Sequence, residues 1–96
     1  MTDKFKKVPV EEDTRILFSK EGKIGDYDVL VQLWSWDGIM GGSVIFANED
    51  IAGLDEDKIM ELVKTSEFVN EDSSINANRS DSGYTFLNFA RPDLED

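Results

Sequence analysis

Ninety-six residues with ten Lys or Arg against twenty-one Asp or Glu carry a net charge of −11 at pH 7, and this length supports one hydrophobic core and one domain. Cysteine and histidine are both absent, which excludes a disulfide framework, thiolate chemistry, and the commonest general base and neutral metal ligand. The negative field disfavours direct binding to nucleic acid or an anionic membrane, and no run approaches the roughly 18–20 apolar residues of a membrane span.

Residues 1–12 hold lysines and acids without an apolar stretch and are expected to form a flexible arm. No secretory h-region is visible in them, which points to a cytoplasmic protein. "TRILFSK", residues 14–20, alternates Ile16 and Phe18 against Arg15 and Ser19 and predicts a strand, followed by a glycine-containing loop in "KEGKIGD". "YDVLVQLWSW", residues 27–36, is the strongest strand pattern, and "GSVIFAN", residues 42–48, is the next.

"LDEDKIMELVKT", residues 54–65, predicts the one helix. Asp55 suits the N-cap, Glu56 and Asp57 sit where the helix dipole favours anions, and Leu54 with Ile59 has hydrophobic-staple spacing. Ile59, Leu62, Val63 and Ser66 form one stripe, with Glu56, Asp57, Glu61 and Lys64 outward. "SINANRS" and "GYTFLNFA" then predict a hairpin turned at "SDSG". The expected fold class is α+β. A single domain over residues 1–96 has an antiparallel sheet of about five strands with one helix packed on a face, in the order β-β-β-α-β-β. Residues 91–96 form a short acidic tail.

Asp37-Gly38 between two alternating apolar runs is a strong hairpin signal, and a two-residue turn there sets Trp36 opposite Ile39. Leu33 then pairs with Gly42, Val31 with Val44 and Val29 with Phe46 on an apolar face that belongs under the helix. The other face pairs Trp34 with Gly41, Gln32 with Ser43 and Leu30 with Ile45, and is mixed. Two readings of the tryptophans stand. They are packing residues, with Trp34 covering the backbone that Gly41 leaves bare, or Trp34, Trp36, Ile39 and Met40 form an exposed apolar tip rimmed by Asp37.

Charge divides the chain. Residues 1–23 hold six bases and five acids, whereas residues 24–96 hold four bases and sixteen acids, and no Lys or Arg occurs from Ile24 through Asp57. The hairpin register brings Asp26, Asp28, Glu49, Asp50, Asp55, Glu56 and Asp57 to one end of the sheet. The tryptophan tip lies on the order of 27 Å away at the other. Solvation and helix capping explain part of the acidic pole, and a docking surface for a basic partner is the alternative. A calcium loop does not fit, because "NEDIAG" from Asn48 has Ala52 at a ligand position and Ile59 where the bidentate Glu belongs.

No catalytic, cofactor-binding or metal-ligating motif emerges, so no cofactor and no enzymatic activity are expected. The expected function is a small acidic non-enzymatic binding protein that blocks a basic partner of the nucleic-acid-binding kind. In charge and length alone the chain is similar to the phage-type anti-restriction and anti-CRISPR inhibitors. The alternatives are an immunity-type or adaptor protein that binds through Trp34 and Trp36, and a housekeeping domain.

Overall fold

The computed structural model describes residues 5, 6, 8, 12–66, 69, 74–79 and 83–90. Two tight turns organise the first three strands. Ile24 faces Tyr27 across a two-residue turn in which Gly25 has φ +61°, so strand β1 runs Thr14–Ile24 and β2 runs Tyr27–Trp36. The strand expected over residues 14–20 therefore continues through the glycine-containing segment that the sequence marks as loop. Its mixed Lys, Glu and Gly residues carry no apolar rhythm, and pairing with β2 is what makes them extended.

At the second turn Asp37 has φ 50° and Gly38 φ 78°, the two left-handed residues that a type I′ hairpin requires. Trp36 faces Ile39 as the Asp-Gly signal predicts, and the expected register holds through Val29 opposite Phe46. Strand β3, Ile39–Ala47, begins directly after the turn, three residues earlier than the sequence pattern marks it.

A 3-10 turn at Asn48–Asp50 leads to helix α1, Glu56–Lys64. The Asp55 carboxylate accepts a hydrogen bond from the Lys58 backbone N–H at 2.9 Å, the N-cap interaction foreseen from sequence. Strands β4, Ile75–Arg79, and β5, Tyr84–Ala90, form the last hairpin, and the middle of its expected turn lies outside the described residues. All neighbours are antiparallel, in the spatial order β1-β2-β3-β5-β4. Among the described residues the chain is thus an α+β domain of one five-stranded antiparallel sheet and a single α-helix, with the expected element order.

The helix covers one face. Val29, Val31, Val44, Phe46, Leu87, Phe89 and Ile75 from the sheet bury against Ile51, Ile59 and Val63, with Leu54 and Leu62 at the margin. Burying residues of this size contributes roughly 1.5–3 kcal/mol each before the entropy of ordering them is subtracted. Glu56, Asp57, Glu61 and Lys64 are exposed, as the helix periodicity requires.

The opposite face carries a second, smaller core of Phe5, Leu30, Ile45 and Tyr84, flanked by Val8 and Phe86. Phe5 stacks obliquely on Tyr84 with ring centroids 6.3 Å apart. Within the segment expected to be an arm, Phe5 and Val8 therefore contact the sheet; the expected tail at 91–96 lies outside the described residues. Among the described residues no helix is long and apolar enough to cross a membrane.

Candidate functional site: two poles of the sheet

The seven carboxylates singled out from sequence occupy one end of the sheet, where the β1–β2 turn, the 3-10 turn after β3 and the start of α1 lie. Asp26 belongs to the first turn, and Asp28 beside it approaches Lys23, its Oδ1 3.8 Å from Nζ. Glu49 and Asp50 sit in the 3-10 turn. That turn is tied to the start of β5 and to the residue before it. The Asn48 backbone N–H donates to the Gly83 carbonyl at 2.9 Å, and the buried Thr85 hydroxyl donates to the Asn48 side-chain oxygen at 2.6 Å. Asp55, Glu56 and Asp57 open the helix, whose approach is held near β4 by Arg79 donating to the Leu54 carbonyl at 3.3 Å.

These anchors make the acidic pole a strip. It runs from the β1–β2 hairpin to the β4 side of the sheet, four strand spacings or about 19 Å. Asp26, Glu49, Asp55, Glu56 and Asp57 are exposed, while Asp28 and Asp50 are half-buried. Lys23, Lys58 and Arg79 are interspersed among them. Among the described residues no three Asp or Glu side chains converge closely enough to hold a metal ion. Ion pairs still open to water, such as Lys23–Asp28, contribute little to stability, so the strip is chiefly a source of field.

The tryptophan end resolves into two different environments. Trp34 is half-buried: its indole lies over Gly41, and its Nε1–H donates to the Ser43 hydroxyl at 2.9 Å, which in turn donates to Asn88 Oδ1 at 2.5 Å. Trp36 and Ile39, paired beside the exposed Asp37, are 45% and 50% exposed. Met40 does not join them. It pairs with Ser35, which turns it to the face of Gly42 and Val44, and it is buried. The exposed tip is therefore Trp36 and Ile39, with Trp34 as the packed residue behind it.

Two further apolar side chains are exposed at the neighbouring edge of β1, with Phe18 on the sheet face opposite that of Trp36 and Ile39. Leu17 and Phe18 are 41% and 48% exposed. A register shift between Ile16 and Phe18 is the cause: Ile16 pairs with Trp34 and Phe18 with Leu33, so the two no longer share a face as simple alternation implies. Among the described residues, the four exposed large hydrophobic side chains all lie at or beside this corner of β1 and the β2–β3 turn.

An antiparallel single-sheet α+β domain with an acidic end and an apolar corner is the class that fold and surface define. Comparison with known proteins returned no matching family model and no significant match to a curated protein or to a solved structure.

Proposed function

We propose that the chain is a small non-enzymatic binding protein whose acidic strip docks on a basic surface of a partner, of the kind that ordinarily holds nucleic acid, and blocks it. The observation that carries this reading is the spread of the carboxylates. Seven acids lie across about 19 Å of one sheet end, with five of them exposed. Such a strip suits a row of cationic side chains better than a single ion, and carboxylates distributed in this way can occupy positions along a phosphate-binding groove.

The experiment is competition. The chain is added to a basic nucleic-acid-binding partner with labelled DNA or RNA, alongside the triple variant Glu49→Gln/Asp50→Asn/Asp57→Asn. Displacement of nucleic acid by the wild-type chain that weakens as salt rises and is lost in the variant is the expected result. Equal displacement by both proteins removes the acidic strip from the explanation.

A second reading has its own observation. Trp36 and Ile39 stand exposed at the tip of a rigid type I′ hairpin, and an exposed Trp beside another apolar side chain is the composition of a binding hot spot. In that reading the protein is an adaptor or immunity-type binder. Trp36→Ala then abolishes partner binding while leaving the fold intact.

A further inference from the structure

One transverse row of the sheet is built unlike its neighbours. On the face away from the helix, the register sets Ser19, Gln32, Ser43, Asn88 and Asn76 side by side, one from each of the five strands. At the spacing of adjacent strands the row is about 19 Å long. It is bordered on one side by Trp34, Gly41 and Ala90, and on the other by Leu30, Ile45 and Phe86, where Phe5 packs over the sheet.

Three properties separate this row from an ordinary solvated one. None of its residues is charged, in a chain of which 32% is Asp, Glu, Lys or Arg. Two of them are Asn, a residue depleted in strands. Gln32 and Ser43 are buried, and the Gln32 side chain, on a residue only 9% exposed, has no hydrogen-bond partner among the described residues. An amide held there bonds to whatever lies over the face. Ser43 serves its neighbours instead: it accepts from Trp34 Nε1–H at 2.9 Å and donates to Asn88 Oδ1 at 2.5 Å. The indole is thereby fixed beside the row, and the Asn88 amide nitrogen keeps its two N–H donors for an outside acceptor.

The row therefore offers amides that both donate and accept, a hydroxyl at Ser19, and one positioned indole. A pyranose ring carries the matching set: hydroxyls around its rim, and a face of C–H groups that suits the electron-rich face of an indole. The strand spacing is also close to the length of one sugar unit in an extended glycan. Charge narrows the ligand further. The row holds no cation for a phosphate, sulfate or carboxylate, and a body of net charge −11 repels polyanions and a second copy of itself, whereas a neutral ligand is indifferent to the field. We infer that this row binds an extended neutral oligosaccharide, with Gln32, Asn88 and Asn76 hydrogen-bonded to its hydroxyls and Trp34 against one ring. The site is separate from the acidic strip and does not rest on its proposed role.

The test is a titration of the isotope-labelled chain with cellohexaose and with chitohexaose, up to about 10 mM, enough to saturate a millimolar site. Side-chain amide and indole N–H signals are followed, and a uridylate hexamer is the anionic control. The expected result is saturable shifts at the Gln32 and Asn88 amides and the Trp34 indole with at least one hexasaccharide, and none with the uridylate. Affinity should fall roughly threefold to tenfold in Gln32→Leu, which keeps the side-chain volume but loses the hydrogen bonds, with its melting temperature held or raised. Asn76→Ala, at an exposed position of β4, should weaken binding as well and decides the matter if Gln32→Leu does not fold. Absence of shifts at these groups with both sugars overturns the inference, as does unchanged affinity in the variants. Equal shifts with the uridylate, or the same shifts without sugar as protein concentration rises, overturn it too, since the occupant is then a nucleic acid strand or a second copy.

Discussion

The indole of Trp34 fills the space that a side chain at Gly41 would need: a Cβ built there meets Trp34 Cη2 at 2.5 Å and Cζ2 at 2.6 Å, and the Phe89 carbonyl at 2.9 Å. The carbonyl is backbone and cannot step aside, so Gly41→Ala is expected to destabilise the domain by about 1–3 kcal/mol, the range for overpacking a well-filled site. Urea midpoints measure it. A midpoint unchanged from wild type means that the indole does not lie on this glycine.

The hydrogen-bond relay behind the tip makes a separate prediction. Ser43 receives the Trp34 N–H and donates to Asn88, so Ser43→Ala leaves a half-buried donor and acceptor without their shared partner. A loss of about 1–3 kcal/mol is expected. Trp34→Phe, which removes the donor as well as the contact, combined with Ser43→Ala should cost less than the two single changes together, because one relay is being removed once. Strict additivity in the double variant contradicts the relay.

Fluorescence separates the two tryptophans. In Trp34→Phe the remaining Trp36 is exposed, so its emission should lie far to the red and be quenched readily by acrylamide. In Trp36→Phe the remaining Trp34 is half-buried with its N–H bonded to Ser43, and should be quenched less. Trp36→Ala should shift stability by no more than about 0.5 kcal/mol, as for other exposed positions. Matching quenching in the two single-tryptophan proteins is the contrary outcome.

Asp55 distinguishes capping from docking. Asp55→Ala removes the acceptor for the Lys58 N–H and is expected to cost about 0.5–2 kcal/mol, whereas Asp55→Asn keeps a comparable cap and should lose far less. Both variants lose one charge of the strip. If binding of the basic partner falls in Asp55→Asn while its melting temperature holds, the carboxylate does more than cap the helix. Unchanged binding assigns Asp55 to capping alone.

What the sequence made legible follows from how local each signal is. Asp37-Gly38 prescribes its own turn, and once the turn is set, period-two alternation places Val29, Val31, Val44 and Phe46 under the helix with no further information. The helix is readable for the same reason: its cap, staple and stripe are all within thirteen residues. Residues 21–24 of β1 are not, because Ile24 is the single apolar residue among them and Lys, Glu and Gly give the rest of the segment no alternation to read. The exposure of Phe18 depends on a register shift against β2, and the burial of Phe5 on Tyr84 some eighty residues away; neither is encoded in its neighbours. Met40 follows Ile39 in the chain, but adjacent strand residues face opposite ways, so proximity in sequence does not put it at the tip.

Whether the acidic strip is a docking surface is tested most directly by binding to immobilised chain. Basic proteins eluted from a heparin column are passed over wild type and over Glu49→Gln/Asp50→Asn/Asp57→Asn at about 50 mM and about 500 mM salt, which shortens the screening length severalfold. Retention of a nucleic-acid-binding protein by wild type at low salt, release at high salt and loss in the triple variant is the predicted result. Retention that is equal on both proteins and at both salt concentrations would contradict it and leave the apolar corner at Trp36 and Ile39 as the binding surface.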